Sequence, residues 1–325
     1  MTDSPALPTI PTVELSRRQL LQLGLGSLLL AAGGCGGERI AATKPDLVWG
    51  RRGLTDGRLQ KPRAVAIDKQ DRLFIADMTG RIQVFTPEGE YLYGWSTPES
   101  FNGKPSGLAF ANDGNLLVAD THYFRMLVYS PEGKLLPERT IGGINGPGPG
   151  EFNFVTDCQQ DREGNYYIAE YGEYDRVQKF SPDGKFLMQW GSHGNDLLQF
   201  VRPQKIALDA DGLMWVADAC NHRVQVFDVS GSEAKLVKHW GVEGTELGQL
   251  RYPYDIVLHG GHVYLCEYGN HRVQKFRPDG ESLGAWGVNG RRDGELYQPW
   301  GCVLDSRGRL HVLDSYNHRV QRAVL

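Results

Sequence analysis

Basic charge is not in excess in this sequence: 35 lysines and arginines stand against 39 acids, a net charge of −4. Residues 1–35 hold two acids (Asp3, Glu14) and two bases (Arg17, Arg18), so the remainder is mildly acidic as well. That balance excludes a general nucleic-acid binder, which needs a basic footprint for phosphate. Long apolar runs are missing too. The longest, from Leu20 to Gly34, has 15 residues including several glycines, short of the roughly 20 that a bilayer-crossing helix needs, which excludes a permanent transmembrane anchor. Cysteine is scarce, five in all. What the sequence does have is core and turn material: 40% hydrophobic residues, 41 glycines and 17 prolines. This is the composition of a folded chain with many reversals of direction, and it excludes disorder as the default.

The N-terminus reads as an export signal over residues 1–35. Ser16-Arg17-Arg18-Gln19-Leu20-Leu21 opens the apolar stretch, and its paired arginines, Arg17 and Arg18, resemble a twin-arginine signal. Ala32-Gly33-Gly34-Cys35 is similar to a lipoprotein processing site, which implies lipidation of Cys35. Ala32 stands where that pattern prefers a larger aliphatic residue, and simple secretion is the alternative. One acyl chain binds a membrane only marginally, so stable anchoring implies a Cys35 carrying two or three. Residues 36–45 then form a linker.

Residues 46–325 repeat. An acid closes a strand at Asp77, Asp120, Glu170, Asp218, Glu267 and Asp314, and four to six residues later comes an arginine, at Arg81, Arg125, Arg176, Arg223, Arg272 and Arg319. Strands flank each pair, with apolar and polar residues alternating as in Val177-Gln178-Lys179-Phe180. Turns such as Thr86-Pro87-Glu88-Gly89 and Ser181-Pro182-Asp183-Gly184 follow, proline presetting the first dihedral and glycine accepting positive φ. A fourth strand ends at Trp95, Trp190, Trp240 or Trp286. Four short antiparallel strands in each unit of 43 to 50 residues specify an all-β, six-bladed β-propeller. The sixth unit stops after its third strand, and Leu47-Val48-Trp49-Gly50 matches the missing fourth. The N-terminal strand is therefore expected to complete the last blade and close the ring, so that deleting residues 46–60 would destabilise all of it.

Asn221-His222-Arg223-Val224-Gln225, Asn270-His271-Arg272-Val273-Gln274 and Asn317-His318-Arg319-Val320-Gln321 resemble NHL repeats. Two units depart from the motif: Met78-Thr79-Gly80-Arg81 lacks the histidine, and Tyr123-Phe124-Arg125-Met126 reads as carrying inserted residues. The resemblance implies several functions rather than one, since such propellers include RNA-binding and protein-binding modules, extracellular sensors and peptidylglycine amidating lyases.

Residues shared by nearly every blade are expected to build blades, so the six acids and arginines, and His122, His222, His271 and His318, are read as structural. No cofactor is expected. Zinc or calcium is the lesser alternative, because the innermost strands open on Arg63-Ala64, Ser106-Gly107, Thr156-Asp157, Gln204-Lys205, Tyr254-Asp255 and Trp300-Gly301 without a histidine among them, and zinc needs three or four convergent ligands. Cys158, Cys220, Cys266 and Cys302 are read as buried thiols, Cys158 and Cys302 lying across the ring from each other.

The candidate ligand-binding face is where the entry loops and the loops joining second to third strands open together: Arg63, Tyr123, Asp157, Tyr171, Lys205, Tyr254, Asp255, Tyr268, Trp300 and Tyr316. Aromatic rings mixed with a few charges suit recognition. The favoured function is a non-enzymatic module, a monomer at the cell envelope, periplasmic or surface-exposed, binding a protein, peptide or glycan and no nucleic acid. The alternative is a lyase or lactonase, metal-dependent or not, at the mouth of the central channel.

Overall fold

A computed structural model describes residues 44–324, so Arg17, Arg18 and Cys35 lie outside the described residues. Within them, no helix is long and apolar enough to cross a membrane. Strands are arranged as six four-stranded antiparallel sheets. In chain order the first strands of blades 1 to 5 are Pro62–Ile67, Gly107–Phe110, Phe154–Gln160, Pro203–Leu208 and Pro253–His259, and that of blade 6 is Cys302–Leu304. Each touches the first strands of its neighbours, so these six line the axis and each blade runs outward from there.

Closure follows the expected exchange. Leu47–Trp49 pairs antiparallel with the third strand of blade 6, Leu47 opposite Arg322 and Trp49 opposite Val320. Asp46 seals it, receiving the Arg322 guanidinium at 2.8 Å. The core is six separate slabs, one between each pair of neighbouring blades. Each slab is built from the apolar sides of two sheets, so no blade buries its faces alone. The tryptophan ending a fourth strand packs on the turn of the next blade. At Gly280 a β-carbon would lie 2.7 Å from Cγ of Trp240, which is why that turn needs glycine for close approach as well as for its φ of 94°.

In every blade but the second, the repeated polar residues lock the loop that arrives from the preceding blade. In all six blades the arginine Nε donates to the buried acid: Arg81 to Asp77 at 3.3 Å, Arg125 to Asp120 at 2.8 Å, Arg176 to Glu170 at 2.7 Å, Arg223 to Asp218 at 2.8 Å, Arg272 to Glu267 at 2.7 Å and Arg319 to Asp314 at 2.7 Å. The other guanidinium nitrogens donate to loop carbonyls, as Arg272 does to Thr245, Glu246 and Gln249. A glutamine two residues on adds a donor and an acceptor: Gln274 Nε2 donates to the Gln249 carbonyl, and its Oε1 accepts from Gly248 N–H. Buried backbone groups need such partners once water is excluded.

The motif histidines hold the other end of the loop. His222, His271 and His318 each sit in left-handed backbone, at φ of 54°, 55° and 57°. Their Nδ1 atoms accept the backbone N–H of Tyr252, Gln298 and Lys61 at 3.1, 2.9 and 3.0 Å. Those partner residues are themselves left-handed, at φ of 52°, 49° and 46°, so each bond pins a strained entry into a first strand. Burial lowers all three histidine pKa values, in keeping with a neutral ring that accepts through Nδ1.

Two expectations about these loops need correction. In blade 2, Asp120 and Arg125 are spaced as Asp218 and Arg223 are, so nothing is inserted. Phe124, at φ 57°, takes the place of His222, and His122 falls two positions earlier with its Nδ1 buried and unpartnered. In blade 3 the loop is one residue longer, and Asp175 holds the histidine's place, accepting the Arg202 N–H at 2.9 Å.

Candidate ligand-binding site

Loops entering the first strands and loops joining second to third strands do open on one face, and they bring aromatic side chains of three blades into one group. Tyr254 stacks on Tyr268 with centroids 4.6 Å apart. Trp300 stands edge-on to both, at 5.1 Å and 5.6 Å. Tyr316 extends the group at 6.5 Å from Tyr268. Cations flank it: the Arg63 guanidinium lies 4.6 Å from the Trp300 ring, Lys61 Nζ lies 4.3 Å from Tyr316, and Arg202 lies 4.6 Å from Tyr171 and 5.4 Å from Tyr254. Tyr171 therefore joins the group through Arg202. Tyr123 does not; its ring packs on Arg125, and its hydroxyl accepts the Asn102 N–H.

Asp157, Lys205 and Asp255 are not on the face. They form the floor of the mouth inside the channel, where Asp157 is wholly buried. Lys205 Nζ donates to Asp157 Oδ1 at 2.9 Å and to the Leu108 carbonyl at 3.2 Å. Burial disfavours the lysine's charge, but the neighbouring carboxylates of Asp157 and Asp255 outweigh it, and the pKa is raised. Asp255 accepts the N–H groups of Ile256 and Cys302 at 2.9 and 2.8 Å; burial nevertheless pushes its pKa up to about 6. Above this floor is a cavity of about 10 Å³, lined in part by Arg63, Ser106, Gln204, Tyr254 and Trp300. Below it, opening toward the opposite face, is one of about 250 Å³. Lys205 and Asp255 border both cavities.

Arg202 and Lys61 were the side chains that sequence reasoning missed. Their signal is weak: with Lys104 they are the three bases that directly precede the proline of an entry loop. Cys220 also departs from expectation, being only partly buried, within electrostatic reach of Arg202; Cys158, Cys266 and Cys302 are buried as expected. Among the described residues no three His, Cys, Asp or Glu side chains converge in a way that could hold a metal ion. His193 and His311 are occupied with Asp175 and Asp305, at 2.6 and 3.1 Å.

The NHL repeat family model matches residues 200–227, 250–276 and 296–322. Peptidyl-glycine alpha-amidating monooxygenase B of Xenopus laevis is 33% identical over 153 residues, which cover 44% of this chain and 17% of that protein. NHL repeat-containing protein 3 of Mus musculus is 29% identical over 183 residues, 52% of each. The chain thus spans only a minor part of the monooxygenase and about half of the second relative. Among solved structures, a gluconolactonase from Xanthomonas campestris superposes with a TM-score of 0.62 at 14% identity, covering 88% of this chain and 98% of that one; at that identity the likeness concerns fold alone. Six closed blades and three matched segments together establish the chain as a six-bladed β-propeller carrying NHL repeats.

Proposed function

We propose that this chain is an exported recognition module, held at the cell envelope, that captures a protein, peptide or glycan on the mouth face of its ring. The observation that carries the reading is the cluster of Tyr254, Tyr268, Trp300 and Tyr316 gathered from two neighbouring blades. Rings so placed offer broad apolar contact and polar edges at small entropic cost, and nothing in the repeat requires them. The motif residues are engaged in holding loops, so selectivity rests with positions that differ between blades.

A lyase or lactonase is the second reading, and the amidating monooxygenase relatives favour it. It would need a poised acid-base pair or a metal at the mouth. The two axial carboxylates are instead engaged by Lys205 and by backbone N–H groups, and among the described residues no three His, Cys, Asp or Glu side chains converge as zinc ligands would. The test is photo-crosslinking from the mouth in native envelope preparations. Crosslinks should map to the mouth face and vanish in the Tyr254→Ala/Trp300→Ala double variant while its melting temperature stays within a few degrees. Equal capture by that variant removes the site; stoichiometric zinc in the natively exported protein would favour the enzyme.

A further inference from the structure

Resting on that reading, we infer that the mouth is built for an oxyanion carried beside a flat apolar group, with Arg63 as its main seat and Arg202 as the second. Arg63 is partly buried, and its Nε is wholly shielded from water with no hydrogen-bond partner. Among the described residues its guanidinium makes a weak hydrogen bond, from Nη1 to Met78 Sδ at 3.5 Å. The guanidinium lies over Trp300, within electrostatic reach of the phenols of Tyr171, Tyr254 and Tyr316 and of a second cation, Arg202. Arg202 in turn spends its Nε on the neutral Gln204 Oε1 at 3.0 Å and lays its plane over two tyrosines. Among the described residues no carboxylate forms an ion pair with either one.

Such an arrangement is unfavourable in the empty ring. Two like charges stand within electrostatic reach of each other; burial, the largest contribution, lowers the Arg63 pKa, and the charge of Arg202 works in the same direction. A buried charge is ordinarily paired, and the six motif arginines of this ring all are. Nearby acids cannot relieve it, since Asp157 and Asp255 are bound on the channel floor. The group that completes the site must therefore come with the ligand. A guanidinium fork takes two oxygens of one oxyanion at once, and Trp300, Tyr254 and Tyr268 provide the adjoining wall for a ring or other flat surface. A peptide C-terminus and an acidic sugar share this chemistry.

The experiment is calorimetric titration of the exported protein with N-acetylphenylalanine, its primary amide, and phenyl β-glucuronide, in wild type, Arg63→Gln and Arg63→Lys. At least one of the two acids should bind, and which one does identifies the source. The amide should bind at least tenfold more weakly than its acid if the source is a peptide; Arg63→Gln should weaken the binding acid at least tenfold, and Arg63→Lys should restore it only in part. Arg63→Gln should also melt at or above the wild-type temperature, because it relieves an uncompensated charge. Binding of neither acid, indifference of the binding acid to Arg63→Gln, or a clear drop in melting temperature of that variant overturns the inference. Loss of native crosslinks in the Tyr254→Ala/Trp300→Ala variant but not in Arg63→Gln would leave the recognition module standing and remove the oxyanion alone.

Discussion

Replacing Arg272 by methionine removes four hydrogen bonds at once: one to Glu267 and three to the carbonyls of Thr245, Glu246 and Gln249. Glu267 is wholly buried, and breaking a buried pair costs about 3–5 kcal/mol because the remaining charge is uncompensated. Here Arg251 N–H, Asn270 Nδ2 and Gln274 Nε2 still reach the carboxylate, which places the loss near the lower end, about 3 kcal/mol. A ring of this length unfolds with an entropy of about 0.6 kcal/mol/K, so the midpoint should fall by about 5 °C. Arg125→Met is the internal control. Asp120 has one oxygen buried without a partner, and its pKa, pushed up chiefly by burial, is already about 6. It can take a proton near neutral pH instead of standing charged and alone, which caps the loss at about 2 kcal/mol or about 3 °C. Differential scanning calorimetry at pH 7.5 measures both. A drop below 1 °C for Arg272→Met, or a larger drop for Arg125→Met, would refute the view that these nodes derive their strength from buried, multiply bonded carboxylates.

Two further outcomes are expected. His271→Ala should lower stability by about 1 kcal/mol at pH 7.5, the worth of one hydrogen bond, and the gap to wild type should narrow as pH falls. The sign follows from the lowered histidine pKa: stability from the neutral ring is complete above about 6.5, the unfolded value, and is lost as pH drops toward the folded one. The raised carboxyls of Asp120 and Asp255 act with the opposite sign between about 6 and 4, so the difference between the two proteins is the quantity to follow; a gap constant from pH 7.5 to 5 contradicts the latch. Removing residues 44–50 should abolish the single cooperative calorimetric transition, since it strips the outer strand of blade 6 and the Asp46 partner of Arg322; an unchanged transition would mean the ring closes by side-chain packing alone.

The strands, the six units and the closing segment were legible because each rests on local pattern: alternation along a strand, proline and glycine at fixed turn positions, tryptophan at a strand end. Val155 stands where other blades have an entry proline, and it pairs with Glu170 as Pro203 pairs with Asp218. Functional equivalence across unlike residues was not legible. Asp175 does the work of a histidine because a carboxylate oxygen accepts the same N–H, and a one-residue change in loop length hid the correspondence. His122 matched by identity while Phe124 matched by backbone conformation. At the mouth, the aromatic group was visible as composition, but depth was not: Asp157, Lys205 and Asp255 occupy strand positions whose side chains turn toward the axis, and that direction depends on the register shifts in these first strands.

A ring of joints in series is only as strong as its weakest hasp, and here that joint can be named. Between blades 1 and 2 the left-handed position belongs to Gly80, which has no side chain to accept an entry N–H. The glutamine position is Leu127, and Arg125 reaches beyond its acid only to the exposed Glu99. The outer strand of blade 2 is two residues long, Ile141–Gly142. Every other joint keeps its arginine and glutamine grip on the incoming loop. Strain on the circle is thus expected to open this joint first, its apolar slab holding without the loop grip that the other joints add.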